Sequence, residues 1–202
     1  MAGRSDTKQK EVIEMSEKRS GKGASGLIDP TDCVLVVIDV QEKLLPVMYE
    51  KDKTLDNVVR LVRFAKIIDL PVLVTEQENL GPTVGGIAGS IEDLSPIMKI
   101  EFDAGRRAEF TETLEKLGRR TIVMCGIESH VCITQTVLSL LPGYTVHVVS
   151  DAVSSRTREN REISLERMRQ SGAVISSTEM VIFELLQKAG TPEFKETLKL
   201  VK

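Results

Sequence analysis

From residue 33 onward the chain alternates short, continuous apolar runs with stretches whose apolar residues recur at helical spacing, and few folds accept that alternation. The run Cys33-Val34-Leu35-Val36-Val37-Ile38 has no polar residue on either face, which suits a strand covered by helices on both sides. Val58, Leu61, Val62, Ala65 and Ile68 then follow a helical period, and Pro71 opens a second strand, Val72-Leu73-Val74-Thr75. A Gly/Pro-rich stretch over residues 80–89 reads as a surface or lid loop, since no strand-to-helix context supports a phosphate cradle. Residues 96–100 predict a short third strand, and Ala108, Phe110, Leu114 and Leu117 a helix ending near Gly118. Strands are expected again at 121–125, 144–149 and 173–176, with helices between them and a last long helix over 178–189.

The expected fold is therefore α/β: a single-domain, Rossmann-like three-layer sandwich. Its six-stranded, mostly parallel sheet has order 3-2-1-4-5-6, with helices on both faces. Residues 27–202 form that domain, and the polar, mixed-charge residues 1–26 read as a flexible arm outside the core. The arm lacks the apolar stretch of a secretory signal, and its acidic residues speak against a transit peptide.

Composition narrows the function. A net charge of −3 argues against a general nucleic-acid surface, and 3% aromatic residues with no Trp argue against a base- or sugar-stacking platform. No apolar run is long enough to span a membrane. Three cysteines in a chain of 202 residues do not suggest a disulfide scaffold, which points to a cytoplasmic, reducing location.

Open parallel sheets bind ligands beyond the carboxyl ends of their strands, at the point where strand order reverses. Three chemically suited residues fall at predicted strand ends. Asp39 follows the first strand, Lys99 lies near the end of the third, and Cys132 follows the fourth in Gly126-Ile127-Glu128-Ser129-His130-Val131-Cys132. A cysteine is a nucleophile only as the thiolate, a form that a helix N-terminus and a nearby cation favour. Each residue also has a plainer reading: Asp39 as a turn cap, Lys99 as a solvated lysine, Cys132 as a small core hydrophobe. Cys33 and Cys125, inside strands, read as core residues, His147 as structural, and Asp151 as a structural hydrogen-bonding group.

Taken together, Val36-Val37-Ile38-Asp39-Val40-Gln41, Lys99-Ile100-Glu101-Phe102-Asp103-Ala104 and Gly126–Cys132, with Thr136 beyond, resemble the isochorismatase-like cysteine hydrolases over roughly residues 31–190. The resemblance implies an Asp–Lys–Cys triad with Cys132 as nucleophile, Asp39 as general base and Lys99 as cation. It implies a cis peptide at Ile127–Glu128, with the Glu128 and Cys132 N–H groups forming an oxyanion hole. The activity implied is hydrolysis of a small amide-type or related acyl bond through a thioester. Zinc-dependent nicotinamidases carry an Asp-x-His…His ligand set after the second strand. Thr75-Glu76-Gln77-Glu78-Asn79 stands there instead, so no metal and no cofactor are expected. Nicotinamide is not the expected substrate, and neither is isochorismate. Gly105 stands where the family often has an aromatic, and Glu128 where a small residue is common.

Gln41, Gln77, Phe102 and His130 are candidates for lining a substrate pocket. The partners expected are a small-molecule substrate and further copies of the chain, a dimer or larger, with neither nucleic acid nor membrane. The competing reading is a non-catalytic regulatory or assembly protein in which Cys132 is a redox-sensitive thiol.

Overall fold

The computed structural model describes residues 26–201, so the arm proposed for residues 1–26 lies, Gly26 excepted, outside the described residues. Six strands form one sheet in the order β3-β2-β1-β4-β5-β6. They are β1 (Cys33–Ile38), β2 (Val72–Gln77), β3 (Ile97–Lys99), β4 (Thr121–Ile127), β5 (Thr145–Ser154) and β6 (Val174–Ser176). Every pairing is parallel, so the sheet is wholly rather than mostly so. Alternating residues of β1 explain the unbroken apolar run. Cys33, Leu35 and Val37 pack with α1 (Lys51–Ile67), α6 (Thr178–Leu186) and the end of α7 (Pro192–Val201). Val34, Val36 and Ile38 pack on the other face with α3 (Ala108–Leu117), α4 (Thr134–Leu140) and α5 (Arg158–Gln170). Each fully buried Val, Leu, Ile or Phe contributes about 1.5–3 kcal/mol.

The helices begin and end where local chemistry allows. Thr157 accepts from the Asn160 N–H at the start of α5, and Ser177 from the Met180 N–H at the start of α6. Gly118, at φ 65°, closes α3.

Four local readings need correction. β4 and β5 run on to Ile127 and Ser154, past the expected ends at 125 and 149. The last strand-following helix stops at Leu186 rather than 189, and α7, not anticipated, follows it. Thr191 caps α7 through the Phe194 N–H (3.1 Å), and the Leu200 carbonyl accepts from Arg60 of α1 (2.7 Å). The Gly/Pro-rich loop is packed rather than free: it contains one helical turn, α2 (Gly85–Ala88), and buries Val84 and Ile87 in the core.

Candidate active site

Strand order reverses between β1 and β4, and the site forms at the carboxyl end of that pair. β4 can close on β1 there because residue 126 is glycine. Gly126 lies at φ 121°, and a Cβ on it would sit 2.1 Å from the Ile38 carbonyl oxygen. Directly after Ile38 the chain turns through Asp39 at φ 51°, a left-handed conformation that Asp tolerates better than most residues. The turn is held by the Asp39 N–H on the Thr75 carbonyl (3.2 Å) and the Gln41 N–H on the Asp39 carbonyl (2.9 Å).

The Asp39 side chain is buried and engaged at both oxygens. Thr75 Oγ1 donates to Oδ1 at 2.7 Å, and Lys99 Nζ donates to Oδ2 at 2.6 Å. Lys99 closes β3 with its side chain wholly enclosed. Its other two acceptors are Gln77 Oε1 (2.8 Å) and the Glu101 carbonyl (3.1 Å). An ammonium has three N–H donors, so protein acceptors account for all of them. Lys99 is thus equipped to act by charge rather than by donating to a ligand.

Cys132 sits in a wide helical turn, Ser129–Ile133, that precedes α4. The Ile133 N–H reaches back five residues to the Glu128 carbonyl (3.2 Å), which opens this turn beyond ordinary α geometry. The residue is 6% exposed, whereas Asp39 and Lys99 are 0% and 1% exposed.

Burial pushes the Cys132 thiol up to about 12; the charge of Asp39 and a hydrogen bond to it act the same way, and the Lys99 ammonium opposes them. This reverses the expectation that the helix end and Lys99 would depress the thiol. Desolvation outweighs both, so Cys132 rests as the thiol. The structure thus brings Asp39, Lys99 and Cys132 together.

The Ile127–Glu128 peptide bond is cis, as the resemblance implied. No hydrogen bond among the described residues uses the Glu128 N–H. The Glu128 carboxylate turns to Arg156, whose Nε lies 2.9 Å away. Ser129 Oγ meets Ser155 Oγ and accepts from Ser164 Oγ (3.0 Å), and Ser155 in turn contacts His130 Nδ1 (2.9 Å). These hydroxyls tie the 128–132 segment to the end of β5 and to α5.

The candidate pocket residues fare differently. Gln41 is fully buried, and its amide is consumed by the chain: Nε2 donates to the Gln77 and Gly81 carbonyls, and Oε1 accepts the Gln77 N–H at 2.8 Å. Gln77 spends its amide on Lys99 and, through Nε2, on the Ile100 carbonyl (2.8 Å). Both amides organise the site from behind; Gln41 Nε2 has both N–H groups engaged, while Gln77 Nε2 has one N–H beyond its bond to Ile100. Phe102 is 54% exposed at the rim, and His130 is partly exposed. Gly105 fits its place because a Cβ there would meet Ser139 Oγ at 2.5 Å.

Away from the site, Asp151 Oδ1 accepts from the Thr178 N–H (2.8 Å) and hydroxyl (2.9 Å), a structural role. Sequence reasoning missed Thr75, Ser129, Ser155, Ser164 and Arg156. Thr75 was within reach, because it pairs across the sheet with Ile38, the neighbour of Asp39. Among the described residues, no group of three or more His, Cys, Asp or Glu side chains is placed to hold a metal ion.

The isochorismatase domain is matched over residues 33–180. The chain belongs to the isochorismatase family. It is 43% identical over 186 residues to the secreted isochorismatase effector Isc1 of Phytophthora sojae, covering 88% of each chain. It is 38% identical over 180 residues to human isochorismatase domain-containing protein 2, covering 88% of this chain and 86% of that one. Among solved structures it is similar to one described as the MAR1 ribonuclease of Caenorhabditis elegans, with a TM-score of 0.81 and 36% identity over 87% of this chain and 92% of the other. The family's hydrolase fold is thus established for this chain. No helix among the described residues is long and apolar enough to cross a membrane.

Proposed function

We propose that the protein is a metal-independent cysteine hydrolase that cleaves a small amide-type C–N bond, or a related acyl bond, through a thioester on Cys132. The observation that carries the reading is the enclosed contact of Lys99 with Asp39 at 2.6 Å, beside a thiol whose proton that same carboxylate is positioned to accept. A resting thiol raised by burial calls for a base at the moment of attack, and Asp39 supplies one. The thiol proton passes to Asp39 as sulfur bonds to the substrate carbonyl carbon. The oxyanion that forms is met by the N–H groups of Glu128 and Cys132, a contribution of roughly 3–4 kcal/mol per donor in enzymes of this kind. Collapse of the adduct breaks the C–N bond, and Asp39 returns its proton to the leaving amine. A water molecule then gives its proton to Asp39 and attacks the thioester, releasing the acid and restoring the thiol. Lys99 holds the Asp39 carboxyl group in place between these transfers through its contact at Oδ2.

The enclosure of the three groups supports a small-molecule substrate over a polymer. The relative described as a ribonuclease makes RNA the alternative to test. An RNA backbone would have to reach a sulfur that is 6% exposed past a pair that is buried. The elevated thiol also weighs against the redox-sensor reading, because sensor cysteines are easily ionised and accessible. Self-association is part of the proposal: Ile100 and Phe102 present apolar surface beside the site and suit a contact with a second copy. A reducing, cytoplasmic location fits the three cysteines, all free and buried.

The test is incubation with a panel of small amides, ureides, esters and short RNAs, followed by mass spectrometry of the intact chain. An acyl adduct on Cys132 and loss of turnover in Cys132→Ala are expected. Full turnover in Cys132→Ala, or cleavage of RNA alone, would sink the reading.

A further inference from the structure

We propose that Thr75 is a positioning residue for the reaction, acting through Asp39; this deepens the Asp39–Lys99–Cys132 reading and rests on it. Thr75 is 0% exposed, and its hydroxyl donates to Asp39 Oδ1 at 2.7 Å. The two residues also share a backbone bond, from the Asp39 N–H to the Thr75 carbonyl. β2 therefore grips both the main chain and the side chain of the residue that leaves β1 at φ 51°.

The physical need is specific. Asp39 must aim one carboxylate at three neighbours of different kinds: an ammonium, a thiol and, later, a leaving amine. A carboxylate on a short side chain can rotate, and the strong pull of Lys99 on Oδ2 leaves rotation about that contact unopposed. The Thr75 hydroxyl fixes the plane by engaging the other oxygen. It also persists through the cycle, because a hydroxyl can donate to a carboxylate and can equally meet a protonated carboxyl group. Gln77, two residues further along β2 on the same side of the strand, does the corresponding job for Lys99. β2 thus contributes no reacting atom yet orients both charged members of the site.

The experiment uses the full chain and p-nitrophenyl acetate as an acylating probe. It reads nitrophenolate release and the acetyl adduct on Cys132 in wild type, Thr75→Ser, Thr75→Val, Asp39→Asn and the Thr75→Val/Asp39→Asn pair. A hydrogen bond to a charged group is large enough that Thr75→Val should slow acylation about tenfold or more. Thr75→Ser, which keeps the hydroxyl, should stay within about twofold of wild type. In the Asp39→Asn background, Thr75→Val should have no further effect, as coupling through one carboxylate requires. A purely structural role would instead slow both backgrounds alike, and that result would overturn the proposal. Wild-type rates in Thr75→Val beside an inactive Asp39→Asn would also overturn it, leaving the triad standing. Wild-type rates in Asp39→Asn would overturn the triad, and the role of Thr75 with it.

Discussion

Lys99 Nζ and Asp39 Oδ2 lie 2.6 Å apart with neither side chain reaching solvent. A pair so enclosed is held by mutual need: each charge is costly to bury alone, and removing one partner of such a pair typically costs about 3–5 kcal/mol. Lys99→Met should therefore destabilise the protein by about that amount in urea denaturation, while Lys99→Met/Asp39→Leu should lose less than the single change. Equal or greater loss in the double variant would mean that the pair does not stand alone in the fold.

The thiol offers a test with an unusual sign. Burial and Asp39 push Cys132 up to about 12, with Lys99 pulling the other way. Iodoacetamide should alkylate Cys132 slowly at neutral pH and faster as the pH rises. Asp39→Asn removes the charge that helps hold the thiol up, so its alkylation should accelerate at lower pH than in wild type, even as turnover is lost. Lys99→Met should shift the rise to higher pH. Mass spectrometry of alkylation against pH reads both displacements, and an unshifted Asp39→Asn profile would separate the carboxylate from the sulfur.

Gln77 supplies one of the acceptors of the Lys99 ammonium. Gln77→Leu leaves a buried N–H without a partner, at a cost of about 1–3 kcal/mol. The expected outcome is a lower midpoint in thermal denaturation together with slower acylation of Cys132. A variant that melts normally yet binds substrate more weakly would return Gln77 to the pocket-lining role first expected of it.

Most of the sheet and the three central residues were legible because the patterns that announce them are local. An unbroken Val/Ile run ending in Asp39 carries its own boundary, and Gly126–Cys132 carries its own turn. What sequence could not supply was set by partners distant along the chain. The amide of Gln41 looked available, but the Gln77 and Gly81 carbonyls consume it. The direction of the Cys132 shift depends on how tightly α4, β1 and β4 close around the sulfur, which no spacing reveals. The helix Pro192–Val201 did leave a signal, a Thr-Pro start followed by apolar residues at helical spacing, and it went unread.

Gly126→Ala probes the close approach of β4 to β1. The added Cβ would meet the Ile38 oxygen at 2.1 Å, and alanine would in addition be strained at φ 121°. The contact is to backbone, so no side chain can swing aside, and the residue displaced is the one before Asp39. A loss of about 4 kcal/mol or more, or failure to accumulate as soluble protein, is expected. Denaturation of the purified variant measures it, and a near-normal midpoint would show that the strand ends can part without harm.

His147 ties stability to pH. It is buried in β5 with Nδ1 unpaired among the described residues, and burial lowers its proton affinity below the ordinary 6.5, only partly opposed by the charge of Glu184. The unfolded chain therefore binds a proton here more readily than the folded one. This contribution to stability is fully present above pH 6.5 and is lost as the pH falls through the lowered folded-state value. Thermal midpoints measured from neutral to mildly acidic pH should decline below that point in wild type. They should decline less steeply in His147→Val, which keeps the strand's apolar character while removing the titrating group. Parallel declines in the two proteins would assign the acid sensitivity to other groups.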